Sequence, residues 1–77
     1  MVDIVVPDLG EVDAVKLVRW LKAVGERVEA GEAVAEVEAA KAVFVVEAPA
    51  AGTLGSIRVA EGEMARPGEI IARLRSG

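Results

Sequence analysis

The sequence predicts an all-β fold in which two small antiparallel sheets, related by a pseudo-twofold axis, close into a flattened sandwich or barrel. Three observations carry that prediction. β-Branched runs too short for confident helices are separated by Gly and Pro at close intervals. Gly25, Gly31 and Glu32 return as Gly62, Gly68 and Glu69, each 37 positions on, and Val34, Ala35 and Val37 stay in step with Ile71, Ala72 and Leu74. Pro7 and Gly10 echo Pro49 and Gly52 at the slightly longer interval of 42. A repeat shorter than a domain cannot cover its own apolar face, so the two copies must pack together.

The elements follow in order. Residues 2–6 read as a first strand, ended by Pro7, which has no N–H for a ladder. Residues 8–14 form a loop kept wet by its acids, and Gly10 permits a positive φ there. The second strand covers residues 15–22, with Val18 and Trp20 on one face and Leu17, Arg19 and Leu21 on the other. A helix over 13–24 fits the spacing, but Val15, Val18 and Trp20 favour strand and no cap begins it. Trp20 reads as core. Residues 25–32 hold two glycine turns around a very short extended piece. Residues 33–38 and 42–48 are paired strands, Pro49 ends the second, and residues 53–59 and 70–75 complete the set around the repeated turns of 62–69. The first half carries extra residues, 11–14, in its loop; such asymmetry on a symmetric frame marks either a recognition surface or tolerated drift.

Between the strands of 33–38 and 42–48 the chain must reverse, although alanine is no strong turn former. Lys41 then stands at a hairpin tip among Ala39, Ala40 and Ala42. A lysine there serves either as a solubilising charge or as a handle for covalent modification, and the tip alone does not choose between them. Glu36 and Glu47 read as solvating strand faces, and Glu38 as a contact for a partner.

Length and composition narrow the function. A chain of 77 residues holds one domain, here residues 1–75, and 76–77 read as the start of a linker into a longer chain. No Cys and no His are present, which removes thiol nucleophiles, the usual zinc sites and imidazole acid–base chemistry. Thr53, Ser56 and Ser76 have no histidine to activate them, so an autonomous hydrolase is not expected. A net charge of −4 with only Trp20 and Phe44 as aromatics argues against nucleic acid. No apolar run approaches a membrane span and no signal-peptide pattern opens the chain, so no membrane partner and a cytoplasmic location are expected.

These landmarks resemble the lipoyl domain of the dihydrolipoamide acyltransferase component of 2-oxo acid dehydrogenase complexes, within the biotinyl/lipoyl attachment family. The resemblance runs along nearly the whole chain: Val6-Pro7-Asp8-Leu9-Gly10-Glu11, Trp20-Leu21, Val24-Gly25-Glu26-Arg27-Val28, Glu36-Val37-Glu38, Pro49-Ala50-Ala51-Gly52-Thr53, and Glu61-Gly62-Glu63 to Gly68. It implies a flattened barrel of two four-stranded antiparallel sheets with the lipoyl-lysine on a hairpin. The family's tip is Asp-Lys-Ala, often preceded by Glu-Thr; here it is Glu38-Ala39-Ala40-Lys41-Ala42, so Ala40 stands where the acid usually precedes the lysine. Biotinyl relatives place methionines on both sides of their lysine, and this chain has alanines there.

What the resemblance implies is a carrier. Lipoic acid joined as an amide to Lys41 would form a swinging arm, read by a lipoyl ligase or transferase through Glu38, Ala40, Ala42 and Gly52. The arm would take an acyl group from a thiamine-dependent 2-oxo acid decarboxylase, deliver it to the acyltransferase core, and be reoxidised by dihydrolipoamide dehydrogenase. The bond-making belongs to the cofactor and the partner enzymes, and tethering raises the effective concentration of each encounter. The opening phrase leans toward pyruvate or branched-chain complexes. A biotin carrier, or an unmodified binding or structural module, is the alternative.

Overall fold

The computed structural model describes residues 1–10 and 12–76. Glu11, in the matched opening phrase and the asymmetric loop, and Gly77, in the expected linker, lie outside them. Eight strands are present: β1 (Val2–Val5), β2 (Val15–Trp20), β3 (Arg27–Val28), β4 (Ala33–Ala39), β5 (Ala42–Glu47), β6 (Gly52–Ile57), β7 (Met64–Ala65) and β8 (Ile70–Arg75). They form two four-stranded sheets, ordered β1-β8-β6-β3 and β5-β4-β2-β7, and every pairing is antiparallel. Replacing β1 to β4 by β5 to β8, and the reverse, turns one order into the other. The all-β architecture and its pseudo-twofold are those expected from the repeat.

The symmetry reaches individual residue pairs. Leu17 faces Val37, and Leu54 faces Leu74; Trp20 faces Ala35, and Ile57 faces Ala72. Each member of the second pair lies 37 positions beyond its counterpart. Burial follows the same law. Leu17, Val28, Val34, Ala35 and Val37 are buried, and so are Leu54, Ala65, Ile71, Ala72 and Leu74. Ile4 and Val6 are matched by Val46 and Ala48 at the interval of 42. Burying each large aliphatic side chain stabilises the fold by about 1.5–3 kcal/mol, so the interlocked core is the main favourable contribution. Among the described residues no polar or charged side chain is buried.

Four turns of one design join the strands. In residues 23–26, 29–32, 60–63 and 66–69 the third residue is a glycine at φ between +85° and +97°. The N–H of the fourth residue, always Glu, donates to the carbonyl of the first at 2.9–3.0 Å. The Glu carboxylate in turn accepts the N–H of the first residue, at 2.7–2.9 Å. Glycine supplies the positive φ without steric cost, and the glutamate satisfies a donor that the turn would otherwise leave to water.

Several sequence expectations change in detail. Val18 and Trp20 do not share a face, because Val18 is the extra residue of a β-bulge: Leu17 faces Val37, yet Arg19 faces Glu36. A bulge shifts the alternation by one, which returns Trp20 to the side of Leu17 and leaves Val18 and Arg19 exposed. Gly55 is the equivalent bulge in β6. Trp20 is not core in full: it is half-buried against the core edge, where its Nε1–H donates to the Val59 carbonyl at 2.8 Å. Its backbone N–H donates to Glu61 Oε2 at 2.8 Å. The Pro7–Pro49 echo is structural, since β1 and β5 are equivalent at that interval, but the Gly10–Gly52 echo is not. Gly10 lies in a loop at φ +86°, whereas Gly52 opens β6 in the position that Val15 takes in β2. Finally, Val6 and Ala48 leave the strand ladders early because their backbones bond to turn residues, Val6 to Glu69 and Gly68, and Ala48 to Glu32 and Gly31.

Candidate functional site

Strands β4 and β5 meet at the pair Ala39–Ala42, so the hairpin loop is only two residues, Ala40 and Lys41. A loop this short needs positive φ in its centre. Ala40 provides it at φ +54°, the single non-glycine residue among those described with a positive value. That conformation costs an L-residue about 1–2 kcal/mol, and the paired strands on either side hold it in place. Ala39 is buried and anchors the tip to the core, while Ala40, Lys41 and Ala42 are exposed.

The Lys41 ammonium has no ion pair and no hydrogen bond among the described residues, whose ion pairs are Arg19–Glu36, Lys22–Glu32, Arg27–Glu29 and Arg73–Asp3. Only methyl groups flank it on either side in the chain. An amine so placed is free to enter the cleft of another enzyme, and the residues fit attachment of an acyl group at Nζ.

Three of the four residues expected to frame the lysine come to it. Ala40 and Ala42 are its chain neighbours, and Glu38 is exposed on β4 beside the tip, opposite Val43 and Lys16. Gly52 does not join them. It is buried at the start of β6 in the other sheet, paired with Val28, and a Cβ on it would stand 2.5 Å from the Arg75 carbonyl oxygen. The close approach of β8 is therefore a sufficient physical reason for glycine there. Glu36 is held by Arg19 Nε at 3.0 Å, and Glu47 is exposed on β5.

The asymmetric loop is tied down at its start. Asp8 Oδ1 accepts the Gly10 N–H at 3.0 Å, the Val12 N–H donates to the Gly10 carbonyl at 2.8 Å, and Leu9 and Val12 pack against the core. What sequence reasoning missed lies on β5. Val43, Phe44 and Val45 are exposed at 55%, 38% and 50%, on an edge strand directly beside the lysine. Their place between the tip and Pro49 gave the strand, but not which of its edges stays open.

Comparison with known proteins agrees with the geometry. The family described as "Biotin-requiring enzyme" matches residues 2–74. The chain is 36% identical over 77 residues to the dihydrolipoyllysine-residue succinyltransferase component of the 2-oxoglutarate dehydrogenase complex of Rickettsia conorii, covering 99% of this chain and 20% of that protein. It is 32% identical over 69 residues to the dihydrolipoyllysine-residue acetyltransferase component of the pyruvate dehydrogenase complex of Staphylococcus aureus, covering 88% of this chain and 16% of that protein. The chain thus spans about a fifth or less of the curated relatives it matches. Among solved structures, the lipoyl domain of the 2-oxoglutarate dehydrogenase complex of Azotobacter vinelandii superposes with a TM-score of 0.81 at 31% identity, covering 100% of this chain and 99% of that one. With a duplicated half-barrel, an exposed lysine at a two-residue tip and these relatives, the chain belongs to the biotin-requiring enzyme family as a lipoyl domain.

Proposed function

We propose that Lys41 carries lipoic acid as an amide on Nζ and that the domain presents this arm to the enzymes of a 2-oxo acid dehydrogenase complex. The observation that carries the reading is an amine without a partner among the described residues, at the crest of a two-residue hairpin with alanines on either side. Ala39 and the β4–β5 ladder fix the tip, Ala40 makes the reversal, and Ala42 leaves room for a ligase to close around the lysine. Once attached, lipoic acid supplies a dithiolane that accepts and releases acyl groups. The chain's own contribution is presentation.

The relatives point to the wider setting. The parent chain is an acyltransferase, and a lipoyl ligase or transferase, a thiamine-dependent decarboxylase, dihydrolipoamide dehydrogenase and the acyltransferase core are the partners. Our reading also sets the domain in the cytoplasm. Relatives from both 2-oxoglutarate and pyruvate complexes are similar to this chain. The Val6-Pro7-Asp8-Leu9-Gly10 phrase supports the pyruvate or branched-chain side of our reading. Glu38, exposed beside the tip and without an ion pair among the described residues, is the contact for a basic surface on the ligase or decarboxylase.

The test is intact mass after incubation with a lipoyl ligase, ATP and lipoic acid, with peptide mapping. One lipoyl increment confined to Lys41, lost in Lys41→Arg, is expected; a biotin increment from a biotin ligase, or no increment on folded protein, would overturn the reading. Reductive acylation of the lipoylated domain by each candidate decarboxylase then assigns the 2-oxo acid.

A further inference from the structure

We infer that the free edge of β5 is a self-association surface, on which two copies of the chain pair β5 with β5 antiparallel about Phe44 into a continuous eight-stranded sheet. β5 is the outermost strand of its sheet, and Ala42 to Val46 of this edge are neither charged nor interrupted by proline. Edge strands of that kind pair with other strands unless something blunts them. The molecule contains its own comparison. β1 is the equivalent edge of the other sheet, and there Asp3, paired with Arg73, occupies the place that Val45 takes in β5. β1 is also shorter, four residues against six. The duplication therefore kept a charged edge in one copy and left an apolar one in the other.

The phase of the pairing follows from the hairpin, and the charges at its two ends choose the register. In a two-residue hairpin the closing pair Ala39–Ala42 is hydrogen-bonded, so the ladder alternates and the backbone groups of Val43 and Val45 point away from β4. Ala48 bonds inward, to Glu32 and Gly31, which leaves Glu47 facing outward as well. Two such edges meet in phase when odd residues face odd residues. Centring the pair on Phe44 sets Phe44 against Phe44 once, on the twofold axis, and sets Val43 against Val45 and Lys41 against Glu47 of the second copy, each of these two pairs twice by symmetry. Val–Val, Phe–Phe and opposite-charge pairs are all favourable across antiparallel strands. Charge complementarity thus selects a second copy as the occupant. Conversion of Lys41 to an amide removes one charge of each pair, so on our reading of Lys41 as the lipoylated residue the modified domain associates less than the unmodified one.

The experiment uses the unmodified chain, so its outcome is independent of whether Lys41 is lipoylated. Sedimentation equilibrium with NMR dilution series should give a dimer dissociating in the high-micromolar to millimolar range, as a small interface of less than ~1,200 Å² does. Concentration-dependent amide shifts should centre on Val43 and Val45. Val45→Asp, which copies Asp3, should leave a folded monomer. Lys41→Glu and Glu47→Lys should each weaken the dimer about three-fold or more, and the double variant should recover it to within about two-fold. A chain that stays monomeric to ~1 mM overturns the inference. So do single charge reversals that fail to compensate each other, shifts that map to another face, and an edge that captures only a different protein.

Discussion

Ala40 and Gly52 separate two reasons for a small residue. Ala40 adopts φ +54°, a conformation that Asn and Asp tolerate better than Ala. Ala40→Asn is expected to raise stability by about 0.3–1 kcal/mol, and Ala40→Val, β-branched at positive φ, to lower it by about 1–2 kcal/mol, both read from urea midpoints. Ala40→Asp carries the same geometric gain and adds the acid that lipoyl domains usually place there; a faster lipoylation rate than wild type would mean that ligases read the charge as well as the turn. At Gly52 the backbone is ordinary and the obstacle is another strand. Gly52→Ala drives a methyl against the Arg75 carbonyl and should cost about 1–3 kcal/mol, while the folded fraction is still lipoylated at the wild-type rate. A slowed rate on fully folded protein would restore to Gly52 a role in recognition. The tip lysine and its alanines were legible in the sequence because strand runs bracket them. The reason for Gly52 was not, since nothing local reveals how closely Arg75 passes.

At the scale of elements, the glycine turns were legible and the bulges were not. Gly-Glu occurs five times, and at Gly25, Gly31, Gly62 and Gly68 the glutamate side chain that follows closes its own turn, a local device written in contiguous residues. The bulges at Val18 and Gly55 depend on which partner strand lies alongside, so alternation read from β2 alone put Trp20 on the wrong side. One turn carries an extra feature. Lys22 Nζ lies 2.8 Å from Glu32 Oε2, whereas Val59 stands at the duplicate position. Hydrogen bonding from Lys22, then from the Glu29 N–H, holds the Glu32 carboxyl below its ordinary 4.5, and the bond to Glu32 raises Lys22 above its ordinary 10.5. The folded carboxyl is the stronger acid, so its contribution is present above about pH 4.5 and lost as pH falls through the lowered value. The lysine's contribution is present below about pH 10.5 and lost as pH rises through the raised one. Urea midpoints of wild type minus Lys22→Gln should therefore form a plateau that decays at both ends. A difference that is flat across the acid limb would show that the pair does not couple to folding.

For the whole molecule, the decisive property is that neither repeat owns its sheet. Of the six strand ladders, only β2–β4 and β6–β8 lie within one copy; β1–β8, β3–β6, β2–β7 and β4–β5 join the two. The sequence repeat foretold that the copies must pack, but the exchange of β3 and β7 was beyond it, because two-residue strands have no periodicity to read. This exchange makes folding a property of the pair. A chain cut between Ala40 and Lys41 yields fragments 1–40 and 41–77, each with one internal ladder and half of the core. At this size, with no cysteine to form a disulfide, such a fragment cannot bury enough apolar surface to offset chain entropy. Each alone should give the circular dichroism of an unfolded chain with no cooperative thermal transition. An equimolar mixture should recover β structure with a transition that rises in temperature with concentration, as assembly from two chains requires. Cooperative unfolding of either fragment by itself would mean that one copy can cover its own apolar face, and the interlocking of the two would then not be what holds the frame under the tip lysine.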